Sequence, residues 1–150
     1  MNMILLNSRS RAFSALIVWM AVIFFFSSMP GANSGSGMTL RFLLERKGAH
    51  VFEYLVLSLL TFNAFRLAYP KERFGFRVSL AIALSLLYAF SDETHQLFVP
   101  GREGKLTDVG IDLIGIVIGM VVAHALAGRK KRASFPSPPK KSGTANTSNV

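Results

Sequence analysis

The apolar residues of this chain fall in long blocks, not in the alternating or two-sided patterns of a water-facing fold. Four blocks stand out: about 12–28 (AFSALIVWMAVIFFFSS), 44–69, 76–96 and 107–127. Each is close to the roughly 20 residues that an α-helix needs to cross a bilayer. Pro30, Pro70 and Pro100 come just after the first three blocks. A missing N–H costs least there, so they mark helix ends. The pattern predicts an all-α, polytopic membrane protein with four transmembrane helices in an antiparallel bundle. Residues 1–11 would form a short N-terminus and 12–128 the membrane domain. Residues 129–150 are basic, then rich in Pro, Ser and Lys, and are expected to be a disordered tail. Arg9 and Arg11 before the first block resemble a signal-peptide start. The SSMPGANSG that follows is a weak cleavage site, so the block is read as a retained helix.

Composition agrees. The chain of 150 residues is 51% hydrophobic with mean hydropathy +0.40, and 13 residues are Phe. It has no Cys, which excludes disulfides, thiolate zinc sites and a cysteine nucleophile. The net charge of +9 could suggest nucleic acid, but six basic residues sit in the tail after an apolar block. A cluster there reads as a cytoplasmic anchor near anionic headgroups, and no nucleic-acid partner is expected.

Charge also orients the chain. With the N-terminus inside, 12 Lys and Arg residues lie on the cytoplasmic side and 5 outside: Arg41, Arg46, Lys47, Arg102 and Lys105. Both termini are therefore expected in the cytoplasm, and the protein in the inner (cytoplasmic) membrane. Seven of the eight carboxylates, all but Glu72, then gather at the outer boundary. The positive-inside rule does not demand this, because Asp and Glu contribute little to orientation.

Three helices bring polar residues to that boundary. The second opens with Lys47, His50 and Tyr54 at i, i+3, i+7 on one face, with Glu53 beside them. The third ends in SDETHQLFVPGR, where Asp92 and Gln96 are one turn apart and Glu93 and His95 adjoin them. The fourth opens with Asp108 and Asp112, followed by Gly115 and Gly119, a spacing that lets another helix approach closely. A carboxylate in hydrocarbon costs about 2.5–3.5 kcal/mol unless paired or wetted. These groups are therefore expected to face one another, with Lys47 and Arg102 as cationic company.

The set Lys47-x-x-His50-x-x-x-Tyr54, then Asp92-Glu93-x-x-Gln96-x-Phe98-x-Pro100-Gly101-Arg102, then Asp108 with Gly115 and Gly119, resembles the VanZ-like family of membrane proteins. The likeness runs from about Phe13 to Ala127. The family commonly has Asn where this chain has Asp112, so the extra carboxylate demands a further cationic partner. The resemblance implies the four-helix membrane fold and marks the polar cluster as a shared feature. The founding member is associated with low-level resistance to teicoplanin, and no reaction is general to the family.

The residues themselves support two functions. One is a polar pocket at the outer boundary that binds an anionic lipid, a cell-wall precursor or another envelope component. Lys47 and Arg102 would hold phosphate or carboxylate, framed by His50, Tyr54, Asp92, Glu93, Gln96, Asp108 and Asp112. The other is a membrane enzyme on a lipid-linked or cell-wall substrate, with Glu93 or His50 as acid/base. An ion-pair network locking the helix ends is the purely structural reading of the same residues. Four spans without an inverted repeat argue against a lone transporter, while an oligomer or a complex with an envelope protein stays open. No cofactor is expected. His50 with Glu53, Asp92 and Glu93 offers N and O donors, but the His-Glu-x-x-His spacing of zinc peptidases is missing, so no metal site is expected either.

Overall fold

A computed structural model describes residues 3–31 and 40–133, with side chains from 7–31 and 46–128. Four helices follow one another: α1 (Met3–Ser27), α2 (Leu40–Ala68), α3 (Phe74–Gln96) and α4 (Leu106–Ala133). The expected disordered tail beyond 133 and the last four residues of the cleavage-like motif, 32–35, lie outside the described residues, as do the side chains of Arg41, Glu45 and the basic run 129–132. The α4 backbone runs six residues past the apolar block. The run Gly128-Arg129-Lys130-Lys131-Arg132 holds one unfavourable glycine but no proline, Lys and Arg are good helix formers, and cations near a helix C-terminus favour its dipole.

All four helices are long and apolar enough to cross a membrane, over Asn7–Ser27, Arg46–Ala68, Phe74–Gln96 and Leu106–Gly128. At about 1.5 Å per residue, each covers the ~30 Å of a hydrocarbon core. The chain is a multi-pass, all-α membrane protein. Its packing fits that solvent. Large apolar side chains such as Ile17, Phe25, Leu87 and Val121 point outward, while Ser58, Thr61, Ser85 and Gln96 are fully buried. Ser58 and Thr61 donate to the carbonyls of Leu55 (2.9 Å) and Leu57 (2.8 Å) in their own helix, which satisfies their hydroxyls without water.

The helices alternate in direction. The end of α1, the start of α2 and the α3–α4 connection lie at one end, here the upper end, and the α2–α3 turn, the start of α1 and the end of α4 at the other. α2 packs against all three other helices, most extensively on α4, while among the described residues α1 and α4 do not meet. The α2–α4 seam is built on glycine. A Cβ on Gly115 would strike the Val51 carbonyl oxygen, and one on Gly119 the Ser58 hydroxyl and the Leu55 carbonyl. The small-residue spacing on α4 is thus used against α2. On α3 the buried stripe is Ala81, Ser85 and Ala89, then Asp92, Glu93 and Gln96. Small residues let α3 settle on its neighbours, and the polar ones meet at the top.

Candidate functional site

The upper end holds a cavity of about 330 Å³ between α1, α2 and α3. The top of α2 contributes Arg46, Ala49, His50 and Glu53, spaced so that one helix face carries all four. Asp92 and Gln96 come from the last turns of α3, Phe26, Ser27 and Met29 from the end of α1, and Arg102 from the α3–α4 connection.

Arg102 reaches across to α1. Its Nε donates to the Met29 carbonyl (2.9 Å) and its Nη2 to the Phe26 carbonyl (2.7 Å). Phe26 is in the last turn of α1, where its carbonyl otherwise accepts only a 3.3 Å bond from the Met29 N–H, and Met29 follows just past the helix end, so a guanidinium is a fitting cap. The connection is drawn over α1 by a backbone bond from Gly31 N–H to the Pro100 carbonyl (3.2 Å). Gly101 there has φ +73°, the left-handed conformation that favours glycine, and its carbonyl leaves no room for a Cβ on Gly31. Burial and the nearby Arg46 charge push the Arg102 guanidinium below its ordinary value, partly opposed by Asp92, Glu53 and Glu93.

Behind the cavity wall, α2, α3 and α4 join through polar side chains. His50 Nδ1 lies 3.0 Å from Asp112 Oδ1, both residues buried. In the tautomer that fits, Nδ1–H donates to the carboxylate. Gln96 Nε2 donates to Asp92 Oδ2 (3.0 Å) and Glu93 Oε1 (3.4 Å), and the Lys105 backbone N–H donates to Glu93 Oε2 (2.7 Å). This last bond folds the connection back onto α3, where Gly104 lies too close to the Glu93 carbonyl for any Cβ. One donor atom each from His50, Glu93 and Asp112 lies within 4.8 Å of the others. Buried oxygens remain without a hydrogen-bond partner: Tyr54 OH, Asp92 Oδ1, Gln96 Oε1 and Asp112 Oδ2.

The expected residues therefore divide. His50, Asp92, Gln96 and Arg102 line the cavity, and Glu93 and Asp112 join His50 and Gln96 behind it. Tyr54 is wholly buried in the core. Asp108 is half-buried in the first turn of α4 and does not line the cavity. Lys47 is exposed and also outside the lining; Arg46, which the sequence reading did not single out, stands there instead. Arg46, His50 and Glu53 are spaced i, i+4, i+7, a one-face pattern as good as that of Lys47, His50 and Tyr54, so spacing alone does not favour either cation. The cationic company expected for the buried carboxylates also differs. Among the described residues, no Lys or Arg side chain pairs with Asp92, Glu93 or Asp112. Histidine, an amide and a backbone N–H do that work, and the added carboxylate at 112 finds its partner in His50. Glu103 and Lys105 pair with each other in solvent, which lowers the Glu103 carboxyl and raises the Lys105 ammonium. His95 turns to α1, with Nε2 3.1 Å from Ser28 Oγ and its ring 4.5 Å from that of Phe24.

No curated protein and no solved structure matches the chain. A family model does: VanZ/LLP1, over residues 12–127, which runs from within the first span to the last turn of the fourth and takes in every residue of the cavity and of the cluster behind it. The chain belongs to the VanZ/LLP1 family.

Proposed function

We propose that the upper-end cavity binds the phosphate or carboxylate of an anionic lipid or lipid-linked cell-envelope component, on the outer face of the cytoplasmic membrane. The observation that carries this reading is the pair of guanidiniums in one lining, Arg46 and Arg102, close enough for Arg46 to depress Arg102. An anion between them relieves that repulsion and gains forked hydrogen bonds. The cavity is large enough for a headgroup and has apolar wall from Phe26, Met29 and Ala49. The excess of Lys and Arg at the other end supports the outward-facing placement, with both termini in the cytoplasm.

Binding of anionic lipids and of a lipid-linked cell-wall precursor to the purified chain in micelles, read by native mass spectrometry, tests this. Arg46→Ala is expected to lower retention of whichever class binds by about tenfold, the loss of one charge-assisted contact. Equal retention by Arg46→Ala and the unaltered chain would rule the reading out. If the ligand bears on the outer surface that a lipophilic glycopeptide meets, cells carrying the chain tolerate more teicoplanin, and Arg46→Ala removes the gain.

One observation favours acid–base chemistry at the same place. His50 is oriented by a buried carboxylate through Nδ1, which leaves Nε2 to move a proton, with Glu93 nearby. On this reading Glu93→Gln leaves ligand retention intact and abolishes conversion of a lipid-linked substrate, read by precursor profiling of cells that carry each form.

A further inference from the structure

Buried acceptors behind the cavity wall outnumber the donors that serve them. Asp112 is 0% exposed, and its Oδ2 has no hydrogen-bond partner. Gln96 Oε1 and Asp92 Oδ1 are in the same condition. A buried oxygen of this kind wants a proton donor or a cation. Around Asp112 the donors are already committed. His50 is bonded to the other oxygen, and Gln96 gives its amide N–H groups to Asp92 and Glu93. Two carboxylates, Glu93 and Asp112, thus share a dry region with a single imidazole and, among the described residues, no Lys or Arg paired to either.

We propose that His50, Glu93 and Asp112 hold a divalent first-row metal ion, Zn²⁺ or Mn²⁺, where α2, α3 and α4 meet. One ligand comes from each helix, and the donor atoms lie within 4.8 Å of one another. Metal bonds of about 2.0–2.1 Å set tetrahedral ligands about 3.3 Å apart. The 3.0 Å between His50 Nδ1 and Asp112 Oδ1 is already near that separation, and Glu93 needs to close by about 1.5 Å at most, within reach of a rotamer change. The one-nitrogen, two-oxygen set suits these ions, and their charge balances both carboxylates. An outer shell is in place, since Gln96 and the Lys105 N–H orient Glu93. The ligands come from three helices, so no local motif announces them. His50 also lines the cavity, which puts the ion one side chain away from any bound anion. The inference does not need the headgroup reading, and an ion on His50 takes the lone pair that acid–base chemistry would use.

Metal retention by the full chain without lipid tests it. Protein purified in micelles without a histidine tag is stripped with chelator, incubated with Zn²⁺ or Mn²⁺, desalted and assayed by elemental analysis. The expected result is about one ion per chain, with affinity at least tenfold weaker in Glu93→Gln and in Asp112→Asn and about 10–100-fold weaker in Gln96→Ala. Asp108→Asn, on α4 but outside the set, keeps it. If Asp112→Asn does not elute as folded monodisperse protein, the comparison rests on Glu93→Gln, which removes a charge and keeps the shape. Retention that is absent from the unaltered chain, or that Glu93→Gln leaves unchanged, overturns the site. Headgroup binding that fails while the ion is retained overturns only the anion reading.

Discussion

The His50–Asp112 pair shows what a bilayer asks of a single side chain. A carboxylate with no exposure has no water to lean on, so its one imidazole partner matters more than a surface ion pair. Removing one member leaves the other buried and unmatched. We expect Asp112→Ala to lower stability in micelles by about 3–5 kcal/mol. The double variant with His50→Ala should recover part of the loss, as a coupling of about 0.5–3 kcal/mol in a double-mutant cycle. Additive losses in thermal or denaturant unfolding would mean that the two residues act separately. Which residues meet was only partly legible beforehand. Spacing placed His50 on the inner face of α2. It could not choose between Lys47 and Arg46, because successive residues differ by about 100° around a helix and only the neighbours decide which direction is inward.

At the scale of helices, the α2–α4 seam sets the register that brings His50 level with Asp112. Gly115 and Gly119 allow it, since a side chain at either would meet α2 backbone or Ser58. Gly115→Leu is expected to cost at least about 1–3 kcal/mol and to lower the melting temperature. Gly110, in the same helix, has nothing within 4 Å of where a Cβ would stand. Gly110→Ala should be neutral or raise stability by up to about 1 kcal/mol, because alanine favours the helix. Equal losses at both positions would mean that helix propensity, not contact, governs the seam. The four spans were legible because the bilayer demands long apolar blocks. The glycine spacing on α4 was legible as a sticky face, but not as a face for α2. Choosing the partner takes the arrangement of all four helices, and no local pattern encodes that.

Across the whole molecule, the chain carries no cysteine, so single cysteines report topology cleanly. On the proposed orientation, a cysteine in place of exposed Glu103 reacts with an impermeant maleimide in intact cells, and one in place of Arg73 reacts only after the membrane is opened. The reverse pattern would turn the cavity toward the cytoplasm. At this scale α1 stands apart. Among the described residues it leans on α2, touches α3 lightly and does not reach α4. Tyr88 OH to the Met20 carbonyl (2.6 Å) and Trp19 Nε1 to the Glu53 carbonyl (2.9 Å) hold its middle, and Arg102 holds its top. The role of Arg102 was the least legible of all, because a bond across 76 residues of chain leaves no local trace. The same guanidinium closes α1 and faces the cavity. A headgroup that recruits it takes a donor from Phe26 and Met29, so filling the chamber and loosening the first span become two sides of a single trade. An occupant would thereby be felt along the molecule's least anchored helix, without any hinge dedicated to the purpose.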